Sequence, residues 1–334
     1  MLRLDPAPLL VRDRLMGGLV GLVLGDALGV PVEFGSRRER DRDPVRGLRG
    51  WGTHAQPRGT WSDDGALALA QADAFIRHGW QPHRHLEAFA AWRDHGAYTA
   101  HGQVFDIGGT TATALDRFRR GTPPEQTGGR SERDNGNGAL MRILPASCWW
   151  AGAPLPVVVQ RLGEASALTH AHPRSRWACA WHAVIAAGLL ARRPVAEGLA
   201  AAALDLAPRL PPAERSALAP LIDSRCLYLP RAAVPSDGYV VSTLVAACWC
   251  LHRHDAFEAV VLEAVNLGGD TDTTAAVAGG LAGLRCGLTG LPRPWIDALP
   301  RAAAVLDLAE RFAEAVLAPS HVGGTCTSRM SHAH

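Results

Sequence analysis

The sequence predicts an all-α protein, built as one compact multi-helix domain with a dinuclear metal site where helix ends converge. Long Ala/Leu/Val-rich stretches recur along the chain, with prolines at their boundaries. No segment alternates apolar and polar residues long enough to build a sheet, and no repeat of fixed period is present. Two acidic clusters, one toward each end of the chain, stand directly before such stretches. If they cooperate, a single domain has to fold them together.

The first element is a Gly-rich helix over residues 9–28. Gly17, Gly18, Gly21, Gly25 and Gly29 are costly there, so their density predicts another element packed at close range. A polar loop rich in Arg, Asp and Gly follows over 36–59. Helices are expected over 65–78, 83–95 and 110–120. Residues 121–138 form a turn-rich loop too long for a plain connector, and such loops in compact domains are functional or mobile. Helices then dominate, at 139–150, 155–168, 173–192, 195–206, 212–224, 239–252, 255–266, 272–286 and 303–317. Trp149, Trp150, Trp177 and Trp181 are read as core, and His83, His85, His252 and His254 as exposed helix residues. The Gly/Ser/Thr/His-rich tail, 319–334, is read as disordered, which places the domain at 1–318.

Composition narrows the function classes. The chain has 334 residues, 47% of them hydrophobic and 20% charged, the proportions of a globular protein. Its formal net charge of +2 offers no bulk electrostatic case for binding nucleic acid or a membrane. Every basic side chain counted is arginine, which reads as a composition effect rather than a functional signal. Seven cysteines are scattered without C-x-x-C spacing, so neither a zinc site nor a redox motif is indicated. Residues 15–24 resemble a signal-peptide core, but Asp26 follows at once and no clean cleavage site is present. The expectation is a cytoplasmic, reduced, monomeric protein without a membrane span.

The two clusters are Ser62-Asp63-Asp64 and Asp270-Thr271-Asp272-Thr273. Ser, Asp and Thr are ordinary N-cap residues, and acids in a first helical turn suit the macrodipole. Both clusters carry more charge than a cap needs. Four carboxylates and several hydroxyls form an all-oxygen set, which hard divalent cations such as Mg²⁺ or Mn²⁺ prefer. Asp63, Asp64, Asp270 and Asp272 are expected to share one coordination sphere.

Read together, five segments resemble the ADP-ribosylglycohydrolase family, including its dinitrogenase-reductase branch. They are Gly25-Asp26-Ala27-Leu28-Gly29 with Glu33-Phe34; Ser62-Asp63-Asp64; Asp106-Ile107-Gly108-Gly109-Thr110-Thr111; Asn137-Gly138-Ala139-Leu140-Met141-Arg142 with Thr169-His170; and Gly268-Gly269-Asp270-Thr271-Asp272-Thr273. The resemblance covers residues 12 to about 316. It implies an all-α fold and two Mg²⁺ (or Mn²⁺) ions held by Ser62, Asp63, Asp64, Asp270, Asp272 and Thr273. Thr271 is expected to point away, and Asp26 to be structural.

The resemblance further implies Glu33 and Asp106 as catalytic acids, and Asn137, Gly138 and His170 as contacts to ADP-ribose. In the dinitrogenase-reductase branch an Asn stands where this chain has Gly109, which removes an amide from the ribose side. The implied reaction is hydrolysis at the anomeric carbon of ADP-ribose through an oxocarbenium-like state. Mono-ADP-ribosyl-arginine on a protein is the leading substrate. ADP-ribosyl-serine, O-acyl-ADP-ribose and ADP-ribosylated nucleic acid are the alternatives, together with a non-catalytic ADP-ribose-binding member or a metal-dependent phosphohydrolase.

Overall fold

The computed structural model describes residues 8–318, and the tail assigned to 319–334 lies outside them. The chain begins with α1 (Pro8–Gly29), α2 (Arg37–Arg42), α3 (Asp63–His78), α4 (Pro82–His95), α5 (Gly109–Arg119) and α6 (Pro124–Thr127). It continues through α7 (Leu144–Trp149), α8 (Leu155–Ala167), α9 (Pro173–Leu190), α10 (Val195–Leu206), α11 (Pro212–Ala217) and α12 (Ala219–Ile222). The last elements are α13 (Val240–Arg253), α14 (Phe257–Asn266), α15 (Thr271–Cys286), α16 (Arg293–Asp297) and α17 (Ala302–Leu317). Among the described residues there is no β-strand, only isolated bridges. One continuous core runs from Val11 to Ala313, so helices from both ends share it and the chain forms one all-α domain.

The axis of the fold is α1 against α15, with α3 and α17 packed on α1 and with α13 and α14 packed on α15. Glycine makes this possible. A Cβ on Gly21 would fall 2.6 Å from the Gly279 carbonyl oxygen, and one on Gly25 would fall 2.0 Å from that of Ala275. The relation is reciprocal, since a Cβ on Gly283 would fall 2.0 Å from the Gly17 carbonyl oxygen. Each glycine costs a helix about 0.8–1 kcal/mol relative to alanine. Leu15, Leu19, Leu22, Val23, Leu24 and Leu28 are all buried on the same helix. Each contributes roughly 1.5–3 kcal/mol, so packing outweighs the propensity deficit.

The same stripe positions the site. It ends at Gly29, where a Cβ would fall 2.3 Å from Asp272 Cα. The first turn of α15 is therefore pressed onto the end of α1, just ahead of Glu33. By length and hydropathy the span Leu9–Val32 could cross a membrane, but 94% of its most apolar window is buried by the rest of the protein. Its apolar surface is used in the core.

Several expectations change in detail. The helix expected over 139–150 is only Leu144–Trp149, because residues before it are used in turns that carry Asn137 and Pro145 sets the helix start. The helix expected over 212–224 splits into α11 and α12, with a proline in the first turn of α12. The loop at 36–59 contains α2, closed by a capping box between Ser36 and Glu39 whose S-x-x-E signature stands in the sequence. His85 is buried rather than exposed. Its Nε2 lies 3.1 Å from the Gly79 carbonyl oxygen, and burial pulls its pKa down to about 4. The loop at 121–138 is pinned by bridges from Gly129 to His170 and from Gly136 to Tyr239. Trp181 is fully buried, while Trp149, Trp150 and Trp177 pack at the edge of the core.

Candidate active site

At the entrance of α3, the orphan N–H groups are satisfied from another helix. The buried Asp26 carboxylate accepts from the Ser62 N–H at 2.9 and 3.0 Å and from the Gly65 N–H at 2.7 Å. Ser62 Oγ accepts weakly from the Asp64 N–H at 3.4 Å and donates to Asp64 Oδ2 at 3.2 Å. Asp26 and Ser62 therefore do the capping, and Asp63 and Asp64 are surplus to it. Both are buried, and Asp64 Oδ1 has no hydrogen-bond partner.

At the entrance of α15, Asp270 stands in the N-cap position and makes no side-chain cap. Its Oδ2 instead accepts from Asn137 Nδ2 at 2.7 Å, and the same amide donates to Thr243 Oγ1 at 2.9 Å. Asn137, expected on the substrate, is thus committed to holding Asp270. Thr271 points away, donating to the Gly29 carbonyl oxygen at 2.8 Å. Asp272 accepts from the Thr273 N–H through Oδ1 at 2.8 Å, and its Oδ2 is unpartnered. The two entrances meet where Thr273 Oγ1 donates to Asp64 Oδ2 at 3.4 Å.

The tightest cluster differs from the expected one. Glu33, His54, Asp106 and Asp272 each place a ligand-type atom within 4.8 Å of the others. Of the four acids expected in one sphere, Asp272 alone belongs to it. Asp63, Asp64 and Asp270 border it. His54 carries no sequence signal, being one histidine in a polar loop. It arrives because the turn at 51–56 is clamped to residues 31–33: Thr53 Oγ1 donates to the Glu33 carbonyl oxygen at 2.8 Å. A Cβ on Gly52, at φ +66°, would fall 1.8 Å from the Pro31 carbonyl oxygen.

Half of the non-glycine positive-φ positions among the described residues lie here. Phe34, Trp51, Ala55 and Asp106 all have positive φ without being glycine. Such residues cost of order 1–3 kcal/mol each and gather at functional sites.

Burial is the largest cause of the electrostatic shifts here. It raises Asp63, Asp64 and Asp272 well above the ordinary carboxylate range, and neighbouring acids raise them further. Asp270 is also raised by burial, against hydrogen bonds from Asn137 and Thr273. Glu33 is pushed up to about 9, by burial first and then by the charges of Asp106 and Asp270. Two like charges 4 Å apart repel by about 4 kcal/mol at an effective dielectric of 20, so these acids cannot all ionise without a counter-charge. Asp64 Oδ1, Asp270 Oδ1 and Asp272 Oδ2 are all buried and unpartnered. Oxygens with nothing to bond, in a self-repelling cluster, match the needs of divalent cations.

His170 lies beneath the 135–138 loop, where a Cβ on Gly138 would fall 2.8 Å from its Cε1, so only glycine fits above the ring. The buried Arg142 donates from Nη2 to Thr169 Oγ1 at 2.8 Å, and that hydroxyl contacts His170 Nδ1 at 2.9 Å. Arg142 occupies one lone pair of the hydroxyl, and Nδ1 meets either its proton or its second lone pair, so this contact orients the ring without fixing its tautomer. Burial lowers the His170 pKa to about 3, so the ring is neutral.

Beside the acids a cleft of about 590 Å³ is lined by Glu33, Phe34, Ser236, Asp237, Gly238, Gly269 and Asp270. A separate cavity of about 490 Å³, lined by Trp80, Arg130, Arg161, Glu164 and Arg176 among others, contains none of these acids. The chemistry places the site in the first. Gly109 opens α5 near Asp106, and a Cβ there would meet nothing within 4 Å. The missing Asn side chain would therefore have room.

The model of the family described as ADP-ribosylglycohydrolase matches residues 7–321. The ADP-ribosylarginine hydrolase Tri1 of Pseudomonas putida (strain GB-1) is 32% identical over 300 residues, covering 85% of this chain and 74% of that protein. The ADP-ribosyl-[dinitrogen reductase] glycohydrolase of Rhodospirillum rubrum is 30% identical over 293 residues, covering 86% and 91% respectively. A solved structure titled ADP-ribosylglycohydrolase-related protein complex superposes with a TM-score of 0.78 at 30% identity, covering 92% of this chain and 99% of that one.

Proposed function

This chain belongs to the ADP-ribosylglycohydrolase family of enzymes, and we propose that it is a divalent-cation-dependent hydrolase that removes mono-ADP-ribose from arginine side chains of proteins. One observation carries the cation dependence. Two helix entrances from opposite ends of the chain meet, with buried carboxylate oxygens of Asp64, Asp270 and Asp272 left unpaired beside Glu33 and Asp106. In this reading Ser62, Asp63, Asp64, Asp270, Asp272 and Thr273 hold two Mg²⁺ or Mn²⁺ ions. Such ions supply Lewis acidity and fixed positive charge when bound.

The chain's own groups do the rest. Glu33 sits in the cleft wall beside the acid cluster, placed to give a proton to the departing guanidine nitrogen and to take one from water. The surrounding carboxylates favour the positive charge that develops at the anomeric carbon. Asp106, partly exposed in the same cluster, is the alternative acid/base group or a contact to the ribose. Asn137 keeps Asp270 in place. Gly138 lets the buried, neutral His170 ring pack directly against the 135–138 backbone, which steadies the loop proposed to contact ADP-ribose.

The choice of arginine rests on two relatives of about 30% identity, whose names specify ADP-ribosylarginine and ADP-ribosyl-dinitrogen reductase. The test is incubation of ADP-ribosyl-arginine and ADP-ribosyl-serine peptides with the protein and Mg²⁺ or Mn²⁺, followed by mass spectrometry. Free ADP-ribose and unmodified arginine peptide are expected. Release from serine alone would move the substrate, and AMP with ribose phosphate as products would replace glycosidic hydrolysis by phosphohydrolysis. No release from either peptide, with either ion, would remove the reading.

A further inference from the structure

The ligand set argued above is entirely oxygen, and His54 does not fit it. Its imidazole is the one nitrogen group in the cluster with Glu33, Asp106 and Asp272. We propose that His54 is a metal ligand, and that its ring nitrogen with one oxygen each from Glu33, Asp106 and Asp272 forms a mixed nitrogen–oxygen position for a first-row transition cation. The inference rests on the divalent-cation reading of this site and adds to it an ion preference.

The cluster is a few tenths of an ångström wider than an ion's coordination sphere, so an ion would draw its ligands inward. Opposite ligands in an octahedron with bonds of about 2.1 Å lie about 4.2 Å apart, and all four atoms here fall within 4.8 Å of one another. His54 Nε2 is hydrogen-bonded to Glu33 Oε2, a contact that an ion between them would replace, and it lies 4.0 Å from Asp106 Oδ2. Asp272, only 1% exposed, brings an oxygen with no hydrogen-bond partner of its own.

The histidine is also built in. Gly52 and Thr53 clamp its turn to residues 31–33, and its ring lies against Phe105, with centroids 5.3 Å apart, and Phe34, at 6.1 Å. The turn accepts positive φ at Trp51 and Ala55 to present it. One Glu33 oxygen on the ion leaves the other for proton transfer. Imidazole favours first-row transition ions over Mg²⁺, which prefers oxygen. The nitrogen should therefore raise the preference for Mn²⁺ over Mg²⁺.

The experiment loads the chelator-treated full chain with Mn²⁺ and records electron spin-echo envelope modulation. The wild type should show imidazole ¹⁴N coupling that becomes a ¹⁵N pattern in protein labelled with ¹⁵N-histidine. His54→Gln should lose the coupling. Its Mn²⁺ affinity should fall about tenfold or more, the scale seen even for partners one shell further out, and by competition titration its Mn²⁺-over-Mg²⁺ preference should fall with it. His54→Asp, an all-oxygen set, should recover cation binding and shift it toward Mg²⁺.

Mn²⁺ bound by the wild type without nitrogen coupling would overturn the inference while leaving the cation site standing. Coupling that survives in His54→Gln, or an unchanged ion preference, would overturn it as well. A wild type that binds no Mn²⁺ would remove both this inference and the reading beneath it. If either variant fails to fold by circular dichroism, the ¹⁴N/¹⁵N comparison on the wild type still decides.

Discussion

Replacing Asp272 by Asn should stabilise the cation-free protein and abolish its stabilisation by Mg²⁺ or Mn²⁺. The Asp272 side chain is 1% exposed, and the charges of Asp64, Asp270 and Glu33 all disfavour its ionised form. One pair of unit charges 4–5 Å apart contributes about 3–4 kcal/mol of repulsion at an effective dielectric of 20. Protonation within the cluster relieves most of that, so a gain of about 1–2 kcal/mol is expected from removing one acid. One term opposes it and is smaller. An acid in the first turn of a helix gains about 0.3–1 kcal/mol from the macrodipole. Asn keeps an oxygen for the Thr273 N–H, now 2.8 Å from Oδ1, so that bond survives.

With cations the order reverses. At a concentration 100 times Kd, one bound ion stabilises the fold by about 2.7 kcal/mol. The assay is thermal melting in EDTA and across Mn²⁺ and Mg²⁺ titrations, where each kcal/mol moves Tm by about 2 °C in a chain of this size. The variant should melt above the wild type in EDTA and below it in saturating Mn²⁺. A variant that melts several degrees lower in EDTA and still responds fully to Mn²⁺ would refute the reasoning, because Asp272 would then be a structural residue of the helix start.

Glu33→Gln is expected to keep a reduced cation-induced rise in Tm, because the amide oxygen can still face the ion, and to lose turnover by about 10²–10⁴-fold, the usual contribution of general acid–base catalysis. Asp106→Asn assayed beside it decides between the two acids, since full activity in Glu33→Gln would pass the role to Asp106. Gly29→Ala places a Cβ 2.3 Å from Asp272 Cα. Overpacking of this kind costs about 1–3 kcal/mol, and here it should also weaken Mn²⁺ binding, as denaturant melts and metal titration would show together. The cation-free protein should also lose stability as pH rises. Burial lifts Asp26 from 3.8 to about 7 and Glu33 from 4.5 to about 9. Between each pair of values the folded chain holds a proton that the unfolded chain has released, so this stability is complete below about pH 4, declines from there, and is fully lost above about 7 for Asp26 and above about 9 for Glu33. Saturating Mn²⁺ should flatten the profile, and a cation-free Tm that climbs over the same range would contradict the sign.

The sequence alone determined the helical class, most helix positions and the two acidic entrances, because these depend on local composition and spacing. Proline and capping residues marked where helices start, and the Gly17–Gly21–Gly25–Gly29 series announced a close neighbour. It erred where several local choices were nearly equal in free energy. The segment before Leu144 is helix-prone, yet it is spent on turns whose reward is the Asn137–Asp270 contact. His85 lies at a position with no local sign of burial, and the core around Phe75 and Trp80 decided it.

Only the tertiary structure could decide what the acids are for. Ser62-Asp63-Asp64 would serve as a helix cap in isolation. It is the carboxylate of Asp26, reaching from α1, that takes over the capping and leaves Asp63 and Asp64 surplus. His54 belongs to the same class. Nothing around it in the chain sets it apart from other loop histidines, and its meaning comes from a turn clamped against Pro31 and Glu33. Helix formation is governed by contacts a few residues apart, which a sequence displays directly. A cluster of charges is governed by which distant backbones can touch, and here that was set by glycines that let α1 and α15 approach until their ends, and the acids on them, share one small volume.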